Sequence, residues 1–438
     1  MYKTLHEYQF RGTAFLAGRA RALLADEPGL GKTLQAIAAA EAVKAKRILV
    51  VCPASVRLNW AQEIHECLGH FDAGRWRIVS YNSAVKLART PGPDDFDLCI
   101  LDEAHFLKTR DSQRTQAVLG NKKGIARHAR RIWALTGTPV LNRPVELYPL
   151  LKVLAVECIR PFDTYSAFAN RWCGAFWDGY GLNVRGASHI DDLAQRLKPF
   201  MLRRTKVEVL SELPEKIITR VPVDAALADL EAVTRAEEEI SGREALLSAA
   251  AERFSQLGDM STLLRLTGEA KVPAAVQFVD DLLESEPKVV VFARHRNVIA
   301  QLQRDLSNRG YGCAVYQGGM SDTDKSRALT LFEKDPNYRV FIGNIQAAGT
   351  GINGLQRAAS AVVFAELSWT PGEMSQAIDR VHRIGQERSA VNVHLLHIPG
   401  TLESAILGVH NAKNSVIERL METRSSVTRA AADFKDLI

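Results

Sequence analysis

No stretch of the 438-residue sequence approaches the roughly 20 consecutive apolar residues that a membrane-spanning helix requires. The opening residues, MYKTLHEYQF, lack the apolar core of a secretory signal. The expectation is a soluble, intracellular protein with no membrane partner: cytoplasmic or nucleoid-associated if bacterial or viral, nuclear if eukaryotic. Cysteine is sparse. The six residues at 52, 67, 99, 158, 173 and 313 form no C-x-x-C pair, so neither a zinc site nor a disulfide framework is suggested, and reduced thiols are expected. Cys52 and Cys99 lie inside apolar runs and read as small core residues. Tandem repeats and low-complexity segments are also lacking, which argues against a solenoid or a disordered chain.

What is present is enough length for two or three domains, each with its own core. The formal net charge of +6 is compatible with a polyanionic partner but does not demand one. Short apolar runs alternate with helical stretches. In the first half the runs are Arg47–Pro53, Asp97–His105 and Arg131–Pro139, and Leu34–Ala45 has helical composition. In the second they are Lys288–Ala293, Tyr338–Asn344, Ala361–Leu367 and Val391–Ile398. This is the pattern of parallel, doubly wound α/β sheets, whose ligands gather at the carboxyl ends of strands. Between the two regions, Asp224–Leu257 is rich in Ala, Glu, Leu and Arg and reads as a helical insertion. The stretch from Thr401 is helix-like, with Leu402, Ile406, Leu407, Val409 and Ile417 as a packing face. The reading is four segments: a first α/β lobe over 1–205, a helical linker over 206–270, a second α/β lobe over 271–400 and a helical tail over 401–438.

Polar motifs begin where apolar runs stop. DEPGLGKT (Asp26–Thr33) places Gly29, Gly31, Lys32 and Thr33 ahead of a helix. Glycine lets backbone N–H groups approach phosphate oxygens, lysine reaches the β- and γ-phosphates, and the threonine hydroxyl ligates Mg²⁺. The strict loop pattern has glycine six residues before the lysine, where this chain has Asp26. Downstream, LDEAH (Leu101–His105) follows a strand; Asp102 suits the metal and Glu103 the attacking water. Near the end of the second region, QAIDRVHRIGQ (Gln376–Gln386) places Arg380 and Arg383 three residues apart, on one face if the segment is helical. Arginines supplied to a transferring phosphoryl group accelerate hydrolysis. The expected cofactors are ATP and Mg²⁺. Taken singly, a glycine turn, an acidic turn and a charged helix would each have an ordinary structural reading.

In this order, the motifs resemble superfamily-2 helicase-like motors, and more narrowly the SWI/SNF-type family of double-stranded DNA translocases. The resemblance runs from LHEYQ (Leu5–Gln9) to HRIGQ (His382–Gln386). DEPGLGKT is similar to that family's loop, with Pro28 where methionine is usual. MLRRTKVEVLSELPEK (Met201–Lys216) resembles the segment closing lobe one, and WTPGEMSQAIDRVHRIGQ (Trp369–Gln386) its signature. VCPASVRLNWAQEI (Val51–Ile64) and TGTPVLNRPVELYPLL (Thr136–Leu151) resemble the annealing-helicase branch. The fold implied is two tandem RecA-like lobes with helical insertions. The roles implied are adenine recognition by Gln9 and phosphate binding by Gly29, Gly31, Lys32 and Thr33. Asp102 would serve Mg²⁺, Glu103 would be the base, and Arg380 and Arg383 would be arginine fingers supported by Gln386. His105, Thr136, Gly137 and Thr138 would couple hydrolysis to DNA. Gly349, Thr350 and Gly351 would lie at the lobe interface near backbone phosphates, Gly351 also being a phosphate-binding candidate.

Duplex or forked DNA is the implied partner of a monomeric motor without chromatin-reading or zinc modules, though an accessory protein could activate it. Arg57, Asn59, Arg294, Arg296 and Thr350 are candidates for backbone phosphates. A basic cluster, Lys122, Lys123, Arg127, Arg130 and Arg131, reads equally as a solvated face. Trp172, Phe176, Trp177 and Tyr180 suit either a stacking platform or ordinary packing, packing being favoured. Competing functions are a strand-separating helicase on DNA or RNA and a nucleotide-dependent clamp with little turnover.

Overall fold

Apolar residues at alternating positions build two sheets, each buried on both faces. In β2 (Ile48–Cys52), Ile48, Val50 and Cys52 enter one apolar cluster and Leu49 and Val51 enter another, as the two-residue period of a strand requires. The computed structural model describes residues 2–89, 96–121, 124–140, 143–179, 181–209, 213–225, 233–234, 258–348, 352, 354–383 and 385–408. These fall into two units, one through residue 209 and one from residue 213.

The first unit's sheet has six strands. They are β1 (Arg21–Leu24), β2, β3 (Trp76–Ser80), β4 (Phe96–Asp102), β5 (Ala129–Leu135) and β8 (Met201–Leu202). All pair in parallel, in the order β3-β2-β4-β5-β1-β8. Leu24 and Asp102 both pair with Leu135. Strands β1, β4 and β5 therefore end level, so the loops after them emerge side by side. Helices α1 (Glu7–Ala17), α2 (Lys32–Ala42) and α3 (Arg57–Leu68) belong to this unit. A separate two-stranded ribbon joins β6 (Phe176–Trp177) to β7 (Leu182–Asn183).

The second unit repeats the plan. Its strands are β9 (Glu215–Pro222), β10 (Val289–Ala293), β11 (Cys313–Tyr316), β12 (Val340–Asn344), β13 (Ala361–Phe364) and β14 (Ala390–His397). They pair in parallel in the order β11-β12-β10-β13-β14-β9. Val289, Val291, Val340 and Ile342 face one apolar cluster, and Val290, Phe292, Phe341 and Phe364 the other. Leu402, Ile406 and Leu407 are buried in the latter cluster, while Val409 and Ile417 lie outside the described residues. The fully buried Lys271 ammonium pairs with Glu403 and donates to the Leu396 carbonyl at 3.0 Å.

One expectation is corrected. The helical linker over 206–270 contains β9, whose Ile217, Ile218, Thr219 and Val221 favour an extended chain. As the edge strand beside β14 it buries little, so it shows no apolar run. The helix Gly258–Ala270 does lie in that stretch. Most of the expected insertion over 224–257 lies outside the described residues.

Candidate nucleotide site

The loop between β1 and α2 turns on two glycines with positive φ, Gly29 at 92° and Gly31 at 72°. A side chain at Gly31 would be strained, and its Cβ would lie 2.5 Å from Gln9 Nε2. Gly31 caps α2, so the helix starts at Lys32 with Thr33 in its first turn. The N-terminal N–H groups and helix dipole of such a turn suit an anion. The Lys32 ammonium is held inside the loop by the carbonyls of Asp26 at 2.7 Å and Glu27 at 3.2 Å. Gln9 is buried; its oxygen accepts from His6 N–H at 3.0 Å and its nitrogen donates to Leu30 O at 3.4 Å. The adenine candidate thus braces the apex of the loop.

Asp102 and Glu103 end β4 beside this loop. The Trp60 indole donates to Asp102 Oδ2 at 2.7 Å, and Glu103 N–H donates to Oδ1 at 3.0 Å. Burial, then the charge of Glu103, pushes Asp102 up to about 6, while Trp60 and the Lys32 charge pull the other way. An acid crowded in this manner favours a cation beside it. Glu103 adopts a left-handed backbone, φ 49°, a conformation uncommon for a side-chain-bearing residue and typical of functional turns. His105 Nδ1 lies 3.2 Å from Glu103 Oε2 and 3.0 Å from Thr136 Oγ1. Thr138 N–H donates to Thr136 Oγ1 at 3.2 Å. Hydrogen bonds from His105 through Thr136 to Thr138, with Glu103 in close contact with the His105 ring, therefore link the acidic box to the TGT turn after β5. Gly137 in that turn packs on the loop, where an added Cβ would lie 2.5 Å from Pro28 Cγ.

Thr33, in the first turn of α2, and the Asp102 carboxylate are the donors that would hold a Mg²⁺ ion, mainly through phosphates and water. Among the described residues, no group of three or more His, Cys, Asp and Glu side chains makes a metal site of its own, and magnesium characteristically uses few carboxylates together with substrate phosphates.

Several participants were given no role in the motif reading. Trp60 lies on α3, and Tyr81 donates to the Asp102 carbonyl at 2.7 Å. Arg203 donates to the carbonyls of Ala25 at 3.1 Å and Gly137 at 3.4 Å. Asp26, at the position where the strict pattern has glycine, is fully buried against Arg204.

In the second unit, the helix Pro371–Ile378 closes before either signature arginine. Arg380 and Arg383 lie in successive turns instead of along one helix, a correction to the spacing argument. The chain tightens there, with Arg380 N–H on Ala377 O and Val381 N–H on Ile378 O, and Gly385 has φ 90°. Burial first, and then the Arg380 charge, lowers Arg383 to about 10. Gln386 ties the turn down through Ala359 O at 2.9 Å and Val381 O at 3.3 Å.

The DNA candidates divide. Arg57 is exposed and Asn59 half-buried at the start of α3, beyond the carboxyl end of β2. Arg294 contacts Ser368 and Glu373, both at 3.4 Å, and Arg296 donates to Gly318 O at 3.2 Å. Gly349, Thr350 and Gly351 lie outside the described residues. Within the basic cluster, Arg131 donates inward to the carbonyls of Ala17 and Arg19, both at 3.1 Å, whereas Arg127 and Arg130 are exposed, Arg127 donating to the Leu119 carbonyl and to Asn121 Oδ1. Lys122 and Lys123 are outside the described residues. Trp172 is buried core, whereas Phe176 and Trp177 are exposed on the ribbon; Tyr180 is not described.

A parallel α/β unit with a phosphate loop, paired carboxylates and a second parallel α/β unit defines a helicase-like nucleotide-binding protein. The SNF2-related domain model matches residues 8–86 and 76–232, and the helicase conserved C-terminal domain model matches residues 273–385. The chain belongs to the SNF2-related family of helicase-like ATPases. The mouse (Mus musculus) DNA annealing helicase and endonuclease ZRANB3 is 33% identical over 98% of this chain and 42% of that protein. The SWI/SNF-related matrix-associated actin-dependent regulator of chromatin subfamily A-like protein 1 of Xenopus laevis is 33% identical over 98% of this chain and 46% of its own length. The chain thus spans less than half of these relatives. The solved Sulfolobus solfataricus SWI2/SNF2 ATPase core in complex with dsDNA is 22% identical, covering 100% of this chain and 97% of that one, with a TM-score of 0.43.

Proposed function

We propose that the protein is an ATP-dependent translocase on double-stranded DNA that remodels duplex or forked structures without classical strand separation. The observation that carries this reading is the linked route Glu103–His105–Thr136–Thr138 beside the Lys32 loop. It gives the candidate base a path to a turn that can answer to DNA. The name of the mouse relative, a DNA annealing helicase, supports forked or reannealing DNA as the substrate class.

In this mechanism the phosphates of ATP lie over the loop N–H groups, and Lys32 exchanges its two carbonyl partners for β- and γ-phosphate oxygens. Magnesium, held by Thr33 and Asp102, would supply positive charge to those oxygens. Glu103, oriented by His105, takes the proton from the attacking water. Arg380 and Arg383 act as the arginine fingers, with Gln386 holding their turn. Arg57, Asn59, Arg294 and Thr350 contact DNA backbone, so binding is salt-dependent and largely indifferent to sequence.

The test pairs two displacement assays with ATP turnover. Removal of a third strand from a triplex, with no separation of a partial duplex, is the expected result. Efficient separation of the partial duplex would move the assignment to a strand-separating helicase. Nucleotide-dependent DNA binding without turnover on any nucleic acid would move it to a clamp.

A further inference from the structure

The phosphate loop carries consecutive acids, Asp26 and Glu27, and the segment after β8 carries consecutive arginines, Arg203 and Arg204. The two pairs face each other. Arg204 Nε donates to Asp26 Oδ1 at 2.9 Å, and its Nη2 donates to Asp26 Oδ2 and, at 2.9 Å, to Gln35 Oε1. Arg204 Nη1 donates to the Tyr8 carbonyl, and the guanidinium lies 5.4 Å from the Tyr8 ring centroid. Arg203 Nη2 is 3.8 Å from Glu27 Oε1, and Lys206 N–H donates to Glu27 Oε2 at 2.9 Å.

This arrangement is built around Arg204. Asp26 is fully buried, and a buried carboxylate persists only when paired and hydrogen-bonded. Gln35 donates to Asp26 Oδ2 at 3.2 Å and to Leu30 O at 3.0 Å, so it passes the constraint to the loop apex. Leu30 O also receives Gln9. Gly12 leaves the space: a Cβ there would collide with Gln35 Oε1 and lie 2.7 Å from Arg204 Nη2. One planar fork thus joins the loop, α2 and the helix that carries Gln9, a geometry that a lysine cannot reproduce.

We propose that Arg204 is a positioning residue for nucleotide binding, fixing the phosphate loop through Asp26 and the Gln9-bearing helix through the Tyr8 carbonyl. The proposal rests on the nucleotide-site reading above. It also explains why this loop has aspartate where the strict pattern has glycine: the carboxylate anchors the loop to the strand segment that closes the first unit.

The test measures binding of a fluorescent ATP analogue, ATP KM and kcat with saturating duplex DNA, and thermal unfolding. It compares the wild type, Arg204→Lys, Arg204→Gln, Asp26→Asn, the double variant Asp26→Asn/Arg204→Gln, and Arg171→Lys as a distant ion-pair control. Arg204→Lys should keep its charge yet raise KM and the analogue Kd about tenfold or more, with kcat changed less than about threefold. The double variant, which removes both charges, should bind better than Arg204→Gln alone. Wild-type binding of the analogue with equal binding by Arg204→Lys would overturn this proposal and leave the nucleotide site standing. Loss of affinity that merely follows melting temperature, and is matched by Arg171→Lys, would overturn it also. Failure of the wild type to bind the analogue would overturn the nucleotide-site reading itself.

Discussion

The acidic end of the first unit and the arginine turn of the second crowd opposite charges. In the first, Asp102 and Glu103 are adjacent, and burial with mutual repulsion raises Asp102 to about 6. In the second, Arg380 and Arg383 are near enough that burial and repulsion lower Arg383 to about 10. Each region disfavours its own ionised form. Each is therefore prepared for a partner of the other sign: a cation beside the carboxylates, an anion beside the guanidiniums. In the proposed mechanism Mg²⁺ would answer the carboxylates and the phosphates of ATP the guanidiniums. The comparison also separates architectural charge from working charge, since Asp26–Arg204 and Lys271–Glu403 are buried pairs closed within one unit.

The largest break in the comparison should come from the arginine side. Arg383→Ala is expected to lower DNA-stimulated turnover by roughly 10³–10⁵, about 4–7 kcal/mol in the barrier, while analogue binding falls far less. Steady-state turnover and equilibrium binding on one preparation check it. On the acidic side, Glu103→Gln should reduce kcat by about 10²–10⁴ and retain ATP. Persistent DNA-stimulated turnover in that variant would remove Glu103 as the base. Among the closed pairs, Lys271→Met should destabilise the fold by about 3–5 kcal/mol, because the buried Glu403 carboxylate would lose the ammonium it pairs with; denaturant unfolding reads the difference.

The Asp102 shift gives a smaller, signed effect. An acid raised from 3.8 to about 6 binds its proton more tightly in the folded state than in the unfolded chain. Its contribution to stability is greatest below the unfolded value, falls as pH rises through that window and is a penalty above it, at most about 3 kcal/mol. Mg²⁺ binding to the ionised form offsets the penalty. Addition of Mg²⁺ should thus raise the melting temperature more near about pH 7.5 than near about pH 5, and an equal gain at both would contradict the assignment of Asp102. Smallest should be Arg57→Ala: duplex affinity weakened several-fold, with the slope of log affinity against log salt reduced by about one.

Much of this arrangement was legible where its determinants are local. The buried strands β2, β4, β5, β10, β12, β13 and β14 announce themselves as apolar runs, Asp102 and Glu103 lie where one of them stops, and Lys32 is marked by its own glycine motif. Other parts had no local signature. β1 is only Arg-Ala-Leu-Leu and β8 only Met-Leu, so their place in the sheet comes from pairing. β9 is exposed and mixes charges with its isoleucines, which hid it within a stretch read as helical. Trp60 meets Asp102 across 42 positions and Arg204 meets Asp26 across 178; no spacing rule spans such distances. The three-residue interval of Arg380 and Arg383 suggested one helix, but the chain leaves the helix at Ile378.

The central claim is that these two charge-crowded regions serve one DNA-activated ATPase. The most direct measurement is ATP turnover by the wild type and by Arg383→Ala, without nucleic acid and then with single-stranded, duplex and forked DNA and RNA over a salt series. Strong stimulation of the wild type by duplex or fork, fading with salt and lost in Arg383→Ala, is the predicted result. Equal turnover in the two proteins, or turnover indifferent to every nucleic acid, would contradict it.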